Sequence, residues 1–214
     1  MTSRLGLYNR ACRHLGERTL ASLSESVETR RALDAAWDDG FIKYCLEQGQ
    51  WNFAMRSVSL TASPDVTPGF GLRYAFDVPT DWVRTVALSG DEFFSVPYDD
   101  AVMEGEYWYA AIQPIYLRYV SNDASFGGDL SLWPETFTQF AAAHLAEQAC
   151  SAATGSESKI DRIRKDVKRL LADARGKDAM NEGTQFPPQG SWVRARHGYG
   201  RSIRDRGSRS NLIG

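Results

Sequence analysis

The sequence lacks any run of 18 apolar residues, the length at which a helix begins to span a bilayer, so no membrane partner is expected. It has only three cysteines, Cys12, Cys45 and Cys150, far apart and without a CxxC pair. An odd count at such spacing suits neither a disulfide framework nor a zinc site; reduced, mostly buried thiols are expected. Histidine is scarce as well. His14 and His144 fall on expected helix faces, where packing is the reading, and His197 lies in the C-terminal tail. No HExxH, GxSxG, Walker loop or GxGxxG occurs. The opening MTSRLGLYNRACRHLGER has the pattern of an amphipathic helix and not of a charged-then-apolar leader, so assembly in a cytoplasm is expected.

The remaining chemistry-bearing residues form no constellation. Asp38-Asp39 and Asp99-Asp100 are adjacent pairs, which do not face each other well enough to share a proton or a metal. Gly127-Gly128-Asp129 reads as a turn before a helix. A glycosidase needs only two carboxylates at the right separation, and Asp91, Glu92, Glu104 and Glu106 are candidates for that alternative. No catalytic residue, cofactor or metal is assigned.

What is present is a core-forming chain. Its 214 residues are 43% apolar and 24% charged, with six Trp, nine Tyr and ten Phe. That aromatic supply serves cores and protein contacts alike. The net charge of −2 hides an asymmetry. Residues 61–133 carry eleven acids against three bases, whereas residues 191–214 carry six arginines against Asp205. An acidic middle and a basic tail imply two faces and two partners.

Periodicity divides the chain. Leu5, Tyr8, Cys12 and Leu15 predict a helix over 3–15 that stops at Gly16. A second helix is expected from a cap at Ser26 or a neighbouring serine to about Gln48, with Leu33, Ala36, Trp37, Gly40, Phe41, Tyr44 and Cys45 on one stripe. At Trp51 the period changes. Alternating runs at 51–60, 72–76, 83–88, 92–96, 106–112 and 114–120 predict an antiparallel sheet or small sandwich, with a break at Pro114. Helix returns at Pro134 and runs to Gly155. A fourth helix capped by Ser156 carries Ile160, Ile163, Val167, Leu170, Leu171 and Ala174 as a narrow stripe. The expected class is α+β: a bundle of about four helices, with residues 1–50 and 123–184 as its halves. A β-rich domain, 51–122, is inserted between them, and an extended basic arm, 185–214, follows.

The segment YAFDVPTDWVRT, residues 74–85, resembles a motif of head-to-tail adaptors (tail tubular protein A) in short-tailed bacteriophages. LYNRACRHLGERTLASLSE near the start, DDGFIKYCLEQGQWNFAMR at 38–56 and YVSNDASFGGDLSLWPETF at 119–137 are similar to the same family. So are KRLLADARGKDAMN at 168–181 and PPQGSWVRARHG at 187–198. The resemblance keeps the family order over nearly the whole chain. It implies a virion protein forming a twelvefold ring, with the portal protein above, the tail nozzle protein below and DNA passing through the lumen without sequence-specific binding.

Two segments have readings of their own. In the motif, Asp77 and Pro79 can set an Asx-type turn, Asp81 can accept from a backbone N–H or from Arg84, and Trp82 can anchor the turn in the core. A corner between strands is the reading, with nozzle contact as the alternative. In the arm, Trp192, Arg194, Arg196, Arg201, Arg204, Arg206, Arg209 and Ile213 are the candidate partner-binding residues. Nucleic acid is one partner class for them. Docking in an acidic protein groove is preferred, because the apolar tip Leu212-Ile213 adds little to phosphate binding. Part of the acidic surface of 61–133 is expected to line the DNA channel, where carboxylates would repel phosphates.

Overall fold

A computed structural model describes residues 2–69 and 71–181. Five α-helices and two three-stranded antiparallel sheets make up these residues, so the protein is of mixed helix and sheet. Helix α1, Arg4–Leu15, starts where Ser3 accepts from the Gly6 N–H and ends at Gly16, whose φ of 72° is left-handed. It buries Leu7, Tyr8, Ala11, Cys12 and Leu15. All three cysteines are free and buried.

The single helix expected over 26–48 is two. Helix α2, Glu28–Asp38, and α3, Phe41–Glu47, are parted by Gly40 at φ 79°, a left-handed position that no helix interior tolerates. The apolar stripe nevertheless crosses the break: Leu33, Phe41 and Cys45 are all buried. The cap also differs. Val27 occupies that position without a side-chain bond, and Ser26 accepts instead from Arg31 at 3.3 Å.

The β-region begins after a 3₁₀ turn at Asn52–Ala54. Strands β1 (Met55–Leu60), β6 (Ile115–Ser121) and β3 (Trp82–Ser89) form one sheet in the order β1-β6-β3. Strands β2 (Tyr74–Asp77), β5 (Tyr107–Ala110) and β4 (Val102–Glu104) form the other, in the order β2-β5-β4. Strand alternation gives β6 two loyalties. Ile115, Leu117 and Tyr119 join Phe76, Leu88 and Ala110 in a small core between the sheets. Val120, with Val83 of β3, belongs to the larger helical core. The expected strand at 92–96 is not one. Asp91 there accepts from the backbone N–H groups of Phe93 (2.8 Å) and Ser95 (3.2 Å), and a turn replaces the ladder.

Helix α4, Glu135–Thr154, follows Pro134 and ends at a left-handed Gly155. It is buried nearly all round, which a helix needs when neighbours cover several faces. Helices α1, α2 and α5 (Glu157–Asn181) all pack on it. Helix α5 buries Ile163, Leu170, Ala174 and Asp178 on a narrow stripe. Its ends are pinned by polar bonds. Lys159 and Arg162 donate to the carbonyls of Leu15 and His14 at 3.1 Å each, and Asp178 accepts from the Asn52 N–H at 3.1 Å. No helix among the described residues is long and apolar enough to cross a membrane.

Candidate functional site

Residues 74–85 form the crossing between the two sheets. The chain leaves one sheet at Asp77 and enters the other at Trp82. Backbone groups close the corner: the Val78 N–H donates to the Glu106 carbonyl, and the Trp82 N–H to the Pro79 carbonyl, both at 3.0 Å. The Asx-type turn expected at Asp77 is therefore replaced by a backbone turn, and Asp77 stands exposed as the last residue of β2. Trp82 is half-buried against the small core, and its indole N–H donates to Thr85 Oγ1 at 2.9 Å.

Asp81 is the polar centre of the corner, and of the two partners expected for it Arg84 is not one. Arg84 turns away and donates to the Glu47 carbonyl at 3.3 Å. The Asp81 carboxylate accepts instead from Arg56 Nη1 at 2.9 Å, from the Tyr119 hydroxyl at 2.9 Å and from Ser121 Oγ. Burial alone would raise this carboxyl, but hydrogen bonds from Ser121, Arg56 and Tyr119 outweigh it and hold it below the ordinary aspartate value. Burial and the Asp81 carboxylate together push the Tyr119 phenol well up. Sequence separation hid this cluster: Arg56 and Ser121 lie 25 and 40 residues from Asp81.

On the outer side the corner borders a cavity of about 550 Å³, lined by Lys43, Asp77, Pro79, Trp82, Met103 and Tyr107 among others. The structure thus brings Asp77, Pro79 and Trp82 together there, while Asp81 and Arg84 are engaged elsewhere. Lys43 comes from α3 and Met103 from β4, and nothing in their local sequence announces it.

Three separate segments meet behind the corner. A Cβ on Gly127 would lie 2.4 Å from the Ser121 carbonyl and 2.9 Å from Ala54 and Leu46, so only glycine lets these backbones close up. Phe137 packs edge-on to Trp51 and Trp133, each with centroids 4.7 Å away. The Trp133 indole donates to the Gly127 carbonyl at 2.8 Å, and the Trp51 indole to the Leu46 carbonyl at 3.1 Å. Residues 38–56, 74–85 and 119–137 therefore share one junction of helix, corner and sheet.

The other candidates are distributed singly. Asp38, Asp39, Asp99 and Asp100 are exposed. Asp91 is tied into its turn, and Glu104 and Glu106 flank the left-handed Gly105 of the β4–β5 hairpin. His144 is buried, stacked on Tyr44 at 4.4 Å, with Nδ1 3.6 Å from Glu147. Burial lowers its pKa against the pull of Glu147. His14 is half-buried, and burial lowers it too. Among the described residues no group of three His, Cys, Asp or Glu could hold a metal ion. Trp192, the six arginines from Arg194 to Arg209, and Ile213 lie outside the described residues. Comparison of the chain with models of known protein families and with curated protein sequences finds no match.

Proposed function

We propose that this chain is a virion structural subunit, the ring-forming adaptor between capsid portal and tail nozzle of a short-tailed phage. The observation that carries the reading is the convergence of the family-like blocks. Three of them, 38–56, 74–85 and 119–137, meet at one junction, where Asp81, Gly127 and Phe137 hold helices and strands together. Segments shared for architecture fit a protein whose work is to keep a shape under load. In this reading the portal and the nozzle are protein partners, twelve copies close the ring, and DNA passes the lumen without sequence-specific contact.

The cavity beside Pro79 is lined by the aromatic residues Trp82 and Tyr107 together with Asp77 and Glu106, a mix that suits a protein partner at the nozzle side. The arm 185–214 is the portal-docking element. Its arginines supply planar, multi-donor contacts to carboxylates, and Trp192 and Ile213 supply apolar anchors. Twelve such arms would act together, so weak single contacts would add to a stable joint.

The test is attachment to purified portal-bearing heads that lack this protein. The full chain is expected to bind in twelve copies, counted by mass or by reconstruction of the vertex. The chain ending at residue 190 is expected to stay folded, since the core lies within residues 2–181, and to lose stable attachment. Failure of the full chain to bind any such head would overturn the reading.

A further inference from the structure

The loop after β3 holds two large apolar side chains in solvent: Phe93 is 79% exposed and Val96 67%. It is not a slack loop. Asp91 accepts from two of its N–H groups, and Ser89 Oγ donates to the Val96 carbonyl at 2.9 Å. Phe94 takes a left-handed φ of 54°, uncommon for a bulky residue, with the Arg118 guanidinium 4.4 Å above its ring. The fold therefore presents Phe93 and Val96 as a pre-shaped knob. Glu92, Asp99 and Asp100, next to it along the chain, are exposed.

A groove of complementary character lies on the helices. Two cavities, of about 460 and 410 Å³, meet at Gln139 on the outer face of α4. One is walled by α1 through Arg10, Arg13 and His14; the other by α5 through Leu170, Lys177 and Met180. Two acids, Glu135 and Asp173, also line it, but Glu135 pairs with Arg10, and Asp173 lies 3.6 Å from Arg169. Among the described residues no ion pair engages Arg13 or Lys177. Gly176 borders the same groove in mid-helix, where glycine costs helix stability relative to alanine. Among the described residues a Cβ there would meet nothing within 4 Å, so their packing does not demand a glycine. What its small size provides is room.

We infer that the Phe93–Val96 knob of one subunit docks in the α1/α4/α5 groove of a second copy. The apolar tip covers Met180, which is 76% exposed, and the acidic side chains meet Arg13 and Lys177. Knob and groove are different surfaces of one chain, so the contact is head-to-tail, the type that closes a ring when the rotation between copies permits. The inference rests on the proposed ring and names its subunit contact.

Covalent trapping tests it. The full-length V96C/G176C variant is oxidised at high concentration; the native cysteines are buried and stay silent. A ladder of disulfide-linked species is expected, forming at least about tenfold faster than with V102C/G176C, whose residue 102 is also exposed. Adding F93S should slow the ladder about tenfold, the loss typical of an interface anchor. Equal rates for the two pairs, or a ladder indifferent to F93S, would overturn the contact and point to a different occupant of the groove. The V96C/M180C pair repeats the test should residue 176 not accept cysteine. Head attachment is read separately. Binding to heads without a knob-dependent ladder sinks this contact alone, and a knob-dependent ladder without head binding sinks the adaptor reading alone.

Discussion

Asp81 shows how one side chain ties three strands. It receives Arg56 from β1 and Tyr119 and Ser121 from β6, at the head of β3. Replacing it by asparagine keeps the shape and removes the charge, and should cost about 2 kcal/mol, the scale of hydrogen bonds to a charged group. Its depressed pKa sets the sign of the pH dependence. The stabilisation is complete above the ordinary aspartate range and is lost as pH falls through the lower folded value. Chemical denaturation of D81N at pH 7 and at pH 3 should therefore show a smaller acid-induced loss than the parent. His144 acts in the opposite part of the scale. Its folded pKa lies below 6.5, so the unfolded chain takes up the proton first and stability declines as pH falls below about 6.5. The groups facing it are Glu147, itself bonded to Arg164, and the rings of Tyr44, Phe41 and Phe140. H144Q should flatten the stability profile between pH 7 and 5; an unchanged slope would show that another group titrates.

At the scale of elements, two glycines make contrasting demands. Gly40 parts α2 from α3 by backbone conformation alone, because a Cβ there meets nothing within 4 Å. Gly40→Ala should cost about 1 to 2 kcal/mol, the penalty of a left-handed residue. Gly127 is required by contact, with a Cβ site 2.4 Å from a carbonyl oxygen. Gly127→Ala should be the worse of the two, about 3 kcal/mol, since backbone must move. Thermal melts of both variants decide the order. The same elements show what local patterns convey. Helical spacing located α1 and α5, since their buried faces repeat at three and four residues, whereas α4, buried nearly all round, was placed by Pro134 and Gly155 at its ends. It could not part α2 from α3, because the apolar stripe runs on through a glycine whose φ is invisible in the sequence. Alternating residues at 92–96 read as a strand, yet Asp91 captures the very N–H groups that a ladder would have used.

For the whole molecule, β6 is the link that joins two cores. Leu117 and Tyr119 face the small core and Val120 the large one, so neither can loosen without disturbing the other. Unfolding followed by the helical-side tryptophans Trp51 and Trp133 should coincide with unfolding followed by Trp82 and Trp108 on the sheet side. Single-tryptophan variants separate these signals, and distinct midpoints would refute the coupling. Val120→Ala should lower both midpoints together, by about 2 kcal/mol, the value of burying a valine.

Residue pattern alone suffices for the α+β class and for the switch from helical to alternating period at Trp51. It also determined the buried cysteines and the corner at 74–85, because periodicity and turn chemistry are local. Which side chains meet depends on how the elements pack. Asp81 found Arg56 and Tyr119 instead of Arg84 because strand pairing, not sequence distance, sets its neighbours. Phe93 stayed in solvent because its turn was closed by Asp91 and Ser89. The groove on α4 is walled by α1 on one side of Gln139 and by α5 on the other, an arrangement fixed by packing that no residue pattern states.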